Sequence, residues 1–368
     1  MKIRKIFAAI AAAAMAVSAT ACASSTNSSS TADSSAADSS AADSSTPAAT
    51  ADAASTADAS SAADDSSAAE IPADKVYNIG ICQLVQHEAL DAATQGFKDV
   101  LTEKLGADHV KFDEQNANGE STNCTTICTG FAASGVDLIL ANATGALQAA
   151  SAATATIPIL GTSVTDYATA LSIDDWTGAT GTNISGTSDL APLDQQADML
   201  HELFPDAKNV GLLYCSAEPN SQYQVDTVKA ALEDLGYTCE YYAFSDSNDI
   251  SSVVTNAVAD SDVIYVPTDN TAASNTELIN NICLPAKVPV IAGEEGICKG
   301  CGVATLSISY YDIGYKAGEM AYDILVNGAD ITTMDIEYAP QVTKEYNASI
   351  AEQLGVTIPD GYTAIAEE

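Results

Sequence analysis

Residues 76–105 read VYNIGICQLVQHEALDAATQGFKDVLTEKL. Val76–Cys82 is an apolar run of strand length. Beyond it, Leu90, Ala93, Phe97, Val100 and Leu101 recur at the spacing of one helical face. A strand feeding a helix from about Glu88 to Leu105 is therefore predicted, the unit from which parallel sheets are assembled. The same alternation continues outward. Strands are predicted near His109–Asp113, at Leu138–Ala141 and at Ile157–Leu160, with helices through Ile127–Ala133 and Gly145–Ala153. Leu138–Ala141 is apolar throughout, as a parallel strand covered on both faces must be.

A second series starts after Gly186. It predicts a helix at Leu193–Phe204, a strand at Val210–Tyr214, and a helix capped by Ser221 that ends at Leu235 before Gly236. Strands follow at Cys239–Ala243, Val263–Val266, Val288–Ala292 and Val303–Ile308. Helices are placed near Ile250–Ala259, Ala273–Leu284 and Ile313–Val326. Two series of similar length predict an α/β protein with two doubly wound parallel-sheet lobes.

The first 75 residues have a different character. Lys2, Arg4 and Lys5 precede the apolar run Ile6–Val17, and the small residues Ala19-Thr20-Ala21 lead to Cys22. A basic segment, a short apolar segment and small residues read as a secretory signal peptide over residues 1–22, too short for a membrane span. A cysteine at the cleavage point, in a pattern that resembles a bacterial lipobox, predicts lipid attachment at Cys22. Residues 23–75 are rich in Ser, Ala, Thr and Asp and offer little to bury, so a disordered linker with a reach of about 40 Å is expected. The predicted location is therefore outside the cell, held to the membrane by the lipid alone, with the folded part soluble.

Composition excludes several partners. The chain carries 50 acidic against 13 basic residues, a formal charge of −37, and its one arginine is Arg4 in the leader. A folded part without arginine cannot build the usual phosphate footprint, so nucleic acid is excluded. An anionic ligand group must be held by backbone N–H groups, hydroxyls or a rare lysine. Eight cysteines follow Cys22. Cys82, Cys215 and Cys239 sit in or beside apolar runs, as buried thiols do. Cys298–Cys301 has redox or half-zinc spacing and Cys124/Cys128 helix-face spacing, but no histidine lies near either. Free thiols are expected, with a Cys298–Cys301 disulfide as the alternative, and no metal or cofactor is predicted.

In a doubly wound lobe, ligands bind beyond the carboxyl ends of the strands. The loops there hold Gln83 and His87, then Asn142–Gly145, then Gly161–Asp166 with Ser163 and Thr165. In the second series they hold Ser216–Ser221, Thr268–Thr271 and Gly293–Gly296. Hydroxyls and amides with a few carboxylates suit a small zwitterion. Helix N-termini after Thr144 and Ser163 would face a carboxylate, and Asp269 or Glu294 would hold an ammonium. Helix capping alone equally explains Asp269, Asn270, Ser221 and Thr144. Motifs of nucleophilic or zinc hydrolases, P-loops and dinucleotide sites are absent, so no enzyme is predicted.

Several segments resemble a known family. Asn78-Ile-Gly-Ile-Cys-Gln-Leu-Val-Gln-His87-Glu-Ala-Leu-Asp91 is similar to the opening of ABC-transporter substrate-binding lipoproteins of the tryptophan/tyrosine type. Asn209-Val-Gly-Leu-Leu-Tyr214, Glu218-Pro-Asn-Ser221, Ile264-Tyr-Val-Pro-Thr-Asp-Asn-Thr271, Pro289-Val-Ile-Ala-Gly-Glu-Glu-Gly296 and Thr305-Leu-Ser-Ile-Ser-Tyr-Tyr-Asp-Ile-Gly-Tyr315 match further signatures. The likeness spans about Val76–Pro359. It implies a type I periplasmic-binding-protein-like fold whose two lobes close on one amino acid about three hinge strands, near Gly186–Asp189, Ser309–Tyr311 and Ala339–Gln341. The lobes would comprise 76–187 plus 310–338, and 188–309 plus 339–368. The resemblance carries cleft roles to Thr144, Ser163, Thr165, Ser188, Asn220, Asp269 and Asn270, beside the Gln83, His87, Ser221 and Glu294 read from the loops. A monomeric solute-binding protein serving an ABC permease and its ATPase is the expected function, with an aromatic amino acid favoured by the resemblance. A surface sensor subunit of the same fold and an extracellular hydrolase are the rival readings.

Overall fold

The computed structural model describes residues 74–366. The predicted leader, the predicted lipid attachment at Cys22 and the linker up to Ala73 lie outside the described residues. The chain runs β1 (Tyr77–Gln83), α1 (Glu88–Leu105), β2 (Val110–Asn116), α2 (Ser121–Ser134), β3 (Leu138–Asn142), α3 (Thr144–Ala153), β4 (Ile159–Val164), α4 (Tyr167–Leu171) and β5 (Ile184–Ser188). It continues with α5 (Leu193–Leu203), β6 (Asn209–Cys215), α6 (Pro219–Asp234), β7 (Thr238–Phe244), α7 (Ile250–Asp260), β8 (Val263–Val266), α8 (Asn270–Ala273), α9 (Thr276–Ala286), β9 (Val290–Ala292), α10 (Glu295–Cys301) and β10 (Ala304–Ser307). The last part holds α11 (Tyr310–Leu325), β11 (Glu337–Tyr338), β12 (Thr343–Tyr346), α12 (Ala348–Leu354) and β13 (Thr363–Ala364).

These strands form two sheets. The first has the order β11-β5-β4-β3-β1-β2 and is parallel throughout. The second has the order β13-β12-β10-β9-β8-β6-β7, with β12 antiparallel to β10. In each, the first strand of its series lies between the second and third, so the winding reverses between β1 and β3 and again between β6 and β8. That reversal opens a crevice where neighbouring helices leave on opposite faces, the place where open α/β sheets bind ligands. The architecture is the two-lobed, doubly wound α/β fold expected.

Burial follows the sequence pattern. Along α1 the predicted face, Leu90, Ala93, Phe97, Val100 and Leu101, is fully buried, and β3 has no exposed residue. Each large apolar side chain removed from water contributes about 1.5–3 kcal/mol. Apolar clusters cover both faces of both sheets, and a smaller one joins Ala89 and Ala93 to Ala191, Ile308, Tyr310 and Ile313 where the chain crosses between sheets. The crossings run from β5 to α5, from β10 to α11, and from β11 to β12. Helix α11 returns to pack on α1 through glycines. A methyl group on Gly314 would stand 1.9 Å from the Ala93 carbonyl oxygen, and one on Gly96 2.2 Å from that of Tyr311.

Three local expectations are corrected. Ser221 does not cap a helix: Pro219, whose φ is preset for a first helical position, starts α6 two residues earlier, so Ser221 is buried within it. The single helix expected over Ala273–Leu284 is split into α8 and α9, because the Asn275 side chain bonds back to the Thr271 carbonyl at 2.8 Å and competes with the helical backbone. Ser163 precedes no helix start. It lies in β4 with φ +55°, and α4 begins at Tyr167 under an Asp166 cap. The antiparallel β12 was not predicted, since Thr343-Lys-Glu-Tyr346 shows no apolar run.

Candidate functional site: a polar cleft between the sheets

The loops at both points of winding reversal meet across a cleft. From the first sheet come His87, ahead of α1, and Thr144, which opens α3. From the second come Glu218 and Asn220 at the start of α6, with Asp269 and Asn270 at the start of α8. Leu84, Glu120, Gly145, Gln148, Glu218, Asn220 and Asn270 are among the residues bordering an open volume of about 450 Å³, within the roughly 300–1,000 Å³ of small-molecule sites. Deeper in, only about 10 Å³ remains between His87 and Leu90 on one side and Thr268, Asp269 and Glu294 on the other. The lobes touch here. His87 Nε2 lies 3.2 Å from Asn270 Oδ1, Gln224 Nε2 donates to Thr165 Oγ1 at 3.4 Å, and Lys299 pairs with Glu88 at 3.1 Å.

The buried carboxylates have different tasks. Asp269 Oδ2 accepts from the Cys215 N–H and Oδ1 from the Ala272 N–H, capping α8 and anchoring the end of β6. Burial, reinforced by the Glu218 charge, pushes its carboxyl up to about 8. Glu294 caps α10 by accepting from the Gly296 and Ile297 N–H groups, yet burial pushes it up to about 7. Glu218 accepts from the N–H and side chain of both Asn270 and Thr271, a ready receptor for the start of α8. His87 is held below its usual range by burial, against the raising influence of Asn270 and nearby acids.

The other residues singled out from sequence divide in two. Gln83 is spent inside the first lobe: its amide donates to Asp91 and Val85 while its carbonyl accepts from Thr94. Ser188 donates to the Thr165 carbonyl and accepts from the Leu190 N–H, pinning the first crossing. Asn220 donates to the Thr268 carbonyl, and Ser221 supports the Asp269 carboxylate. Thr144 Oγ1 and Ser163 Oγ, by contrast, are buried without a protein partner. They follow the paired strand residues Asn142 and Thr162, so they stand at adjacent strand ends. Of the four positions that capping alone could explain, only Asp269 caps with its side chain.

Sequence reasoning passed over Glu218, Gln224, Asp189 and Tyr310. Pro219 at a first helical position pointed to Glu218 just before it. Asp189 and Tyr310 lie in the crossings, where no periodicity marks an inward side chain. Tyr310 donates to Asp189 Oδ2 at 2.9 Å, clipping one crossing to another.

The eight cysteines from Cys82 to Cys301 are all buried and free. Among the described residues no three His, Cys, Asp or Glu side chains converge as metal ligands, and no helix is long and apolar enough to cross a membrane.

Two facing α/β lobes with a polar cleft at their winding reversals offer a place for a small ligand. The sequence profile of the family described as ABC transporter substrate binding protein matches residues 78–368, and the chain belongs to that family. It is 36% identical over 267 residues, covering 71% of this chain and 77% of the relative, to a tyrosine-binding protein of Clostridioides difficile (strain R20291). A Streptococcus pneumoniae ABC domain in complex with L-Trp is similar at 32% identity and TM-score 0.75, over 79% of this chain and 100% of that one. The ligand-free, open structure of a Clostridium difficile substrate-binding protein with adhesive properties gives 35% identity but TM-score 0.61, over 80% and 100%.

Proposed function

We propose that this chain is an exported, lipid-anchored solute-binding protein that takes one amino acid between its lobes and passes it to an ABC permease. The leader 1–22, Cys22 and the linker 23–75 support export and tethering. The two lobes are 76–187 plus 310–338 and 188–309 plus 339–368, acting as a monomer and closing by rotation about the three crossings. Closure is a population shift set by how much more tightly the ligand binds the closed state.

One observation carries the amino-acid reading: the unpartnered, buried hydroxyls of Thr144 and Ser163 at neighbouring strand ends. Buried polar atoms are ordinarily bonded. These two sit beside the N-terminus of α3, where an anionic group is favoured, in a domain without arginine. A ligand carboxylate would satisfy both. Thr165, Ser188, Asn220, Ser221, Asp269, Asn270 and Glu294 form the walls, with Gln83 and His87 at the first-lobe edge. The tyrosine and tryptophan in the relatives' names favour an aromatic side chain.

A thermal-shift screen of the twenty amino acids and common sugars tests this. An amino acid at a hundred times its Kd should stabilise the protein by about 2.7 kcal/mol. Stabilisation by sugars or nucleosides alone would show the reading to be wrong.

A further inference from the structure

The inner end of the cleft is bordered by three carboxylates, Asp189, Asp269 and Glu294, and by no lysine or arginine. Asp269 and Glu294 each use both oxygens as acceptors from backbone N–H groups. Asp189 differs. It is 5% exposed, and its Oδ2 accepts from the Tyr310 hydroxyl; burial pushes its carboxyl up while the Thr165 and Tyr310 hydroxyls pull it down, and its Oδ1 makes no hydrogen bond within 3.5 Å. A buried carboxylate oxygen facing a shared space calls for a donor, and burying a charge is tolerable only when it is paired. Burial holds the neighbouring His87 below its usual range, against the raising influence of Asn270 and nearby acids, which disfavours a positive charge there. The lack of convergent metal ligands among the described residues points away from an inorganic cation. An ammonium group brings a full charge and N–H donors in a compact head, as this small space requires.

We propose that Asp189 is the cation-binding residue of the cleft, its free oxygen accepting the protonated α-amino group of the ligand while Tyr310 positions the carboxylate. The assignment rests on the reading of the cleft as an amino-acid site and specifies where the amine goes. It also ties binding to the hinge. Asp189 follows β5 at the first crossing and Tyr310 opens α11 at the second, so the amine is gripped where the lobes join.

Calorimetry on the full-length chain in detergent tests it. The probes are the tightest binder among the twenty amino acids, with L-tyrosine and L-tryptophan tried first, and the matching 2-hydroxy acid, which exchanges ammonium for hydroxyl. The wild-type chain should prefer the amino acid by about 100-fold or more, as loss of a charged hydrogen bond implies. Asp189→Asn should weaken the amino acid by a similar factor, leave the hydroxy acid within about threefold, and so collapse the preference. Tyr310→Phe should reduce the preference partway. Asp226→Asn, at an exposed carboxylate of α6 that bonds Gln222 and Tyr241 and does not border the cleft, should leave the ratio intact. An unchanged preference in Asp189→Asn overturns the assignment while the amino-acid reading stands. Absence of binding by all twenty amino acids overturns both. Should Asp189→Asn fail to fold, as judged by circular dichroism, Asp189→Ser, which keeps a partner for Tyr310, decides the matter by the same ratio.

Discussion

At the residue scale the cleft shows how burial and hydrogen bonding oppose each other on one carboxylate. Glu294 accepts two backbone N–H bonds, which favour its charged form, but burial prevails and raises it from 4.5 to about 7. The consequence for stability has a definite sign. Between pH 4.5 and 7 the folded state keeps a proton that the unfolded chain releases, so this contribution is fully present below the unfolded value and is lost as pH rises to about 7. Asp269, raised to about 8, adds to the same trend. The melting temperature of the ligand-free protein should therefore fall from pH 5 to 8 through these groups. Glu294→Gln should flatten that profile in differential scanning calorimetry, and a variant profile parallel to the wild type would contradict the attribution.

At the element scale the paired helices α1 and α11 hold the first lobe against the crossings. Their backbones approach closely enough that Gly96 and Gly314 leave no room for a methyl group. Gly314→Ala should force the helices apart, costing about 1–3 kcal/mol in urea unfolding, as overpacking does. Because α11 begins at Tyr310, the shift should also disturb its bond to Asp189 and weaken ligand binding. A variant with unchanged stability would mean that the helix pair repacks without strain. Gly130 makes a useful control: an added methyl group there meets nothing within 4 Å, and its backbone is ordinary helix.

At the scale of the whole molecule, the touching arrangement of the lobes rests on few bonds across the cleft. His87 to Asn270, Gln224 to Thr165 and the half-exposed Lys299–Glu88 pair are the polar ties named across it. Each contributes about a kcal/mol or less in net terms, the exposed ion pair least. On the hinge closure proposed above, a total that small keeps open and closed states within reach of one ligand's binding energy. His87→Ala should move the ligand-free protein toward the open state, seen as a larger radius of gyration in small-angle X-ray scattering. Ligand affinity should drop by up to about tenfold. Identical scattering curves for variant and wild type would show that His87 does not hold the lobes together.

The two sheets, their strand–helix alternation and the cleft loops were legible in the chain itself, because period and apolar run length are local properties: Leu138–Asn142 and the buried face of α1 could be read residue by residue. The short strands β11–β13 were not, since their pairing comes from neighbours distant in sequence. The same divide runs through the cleft. Sequence placed Thr144, Asp269 and Glu294 at strand ends, but whether a polar side chain there caps a helix or waits for a ligand depends on which donors arrive from elsewhere in the fold. Only the tertiary structure showed the oxygens of Asp269 and Glu294 taken by nearby N–H groups, Thr144 left without a partner, and Asp189 joined to Tyr310 from 121 residues away. Hydrogen-bond satisfaction is a property of the assembled neighbourhood, and no local pattern in the chain encodes it.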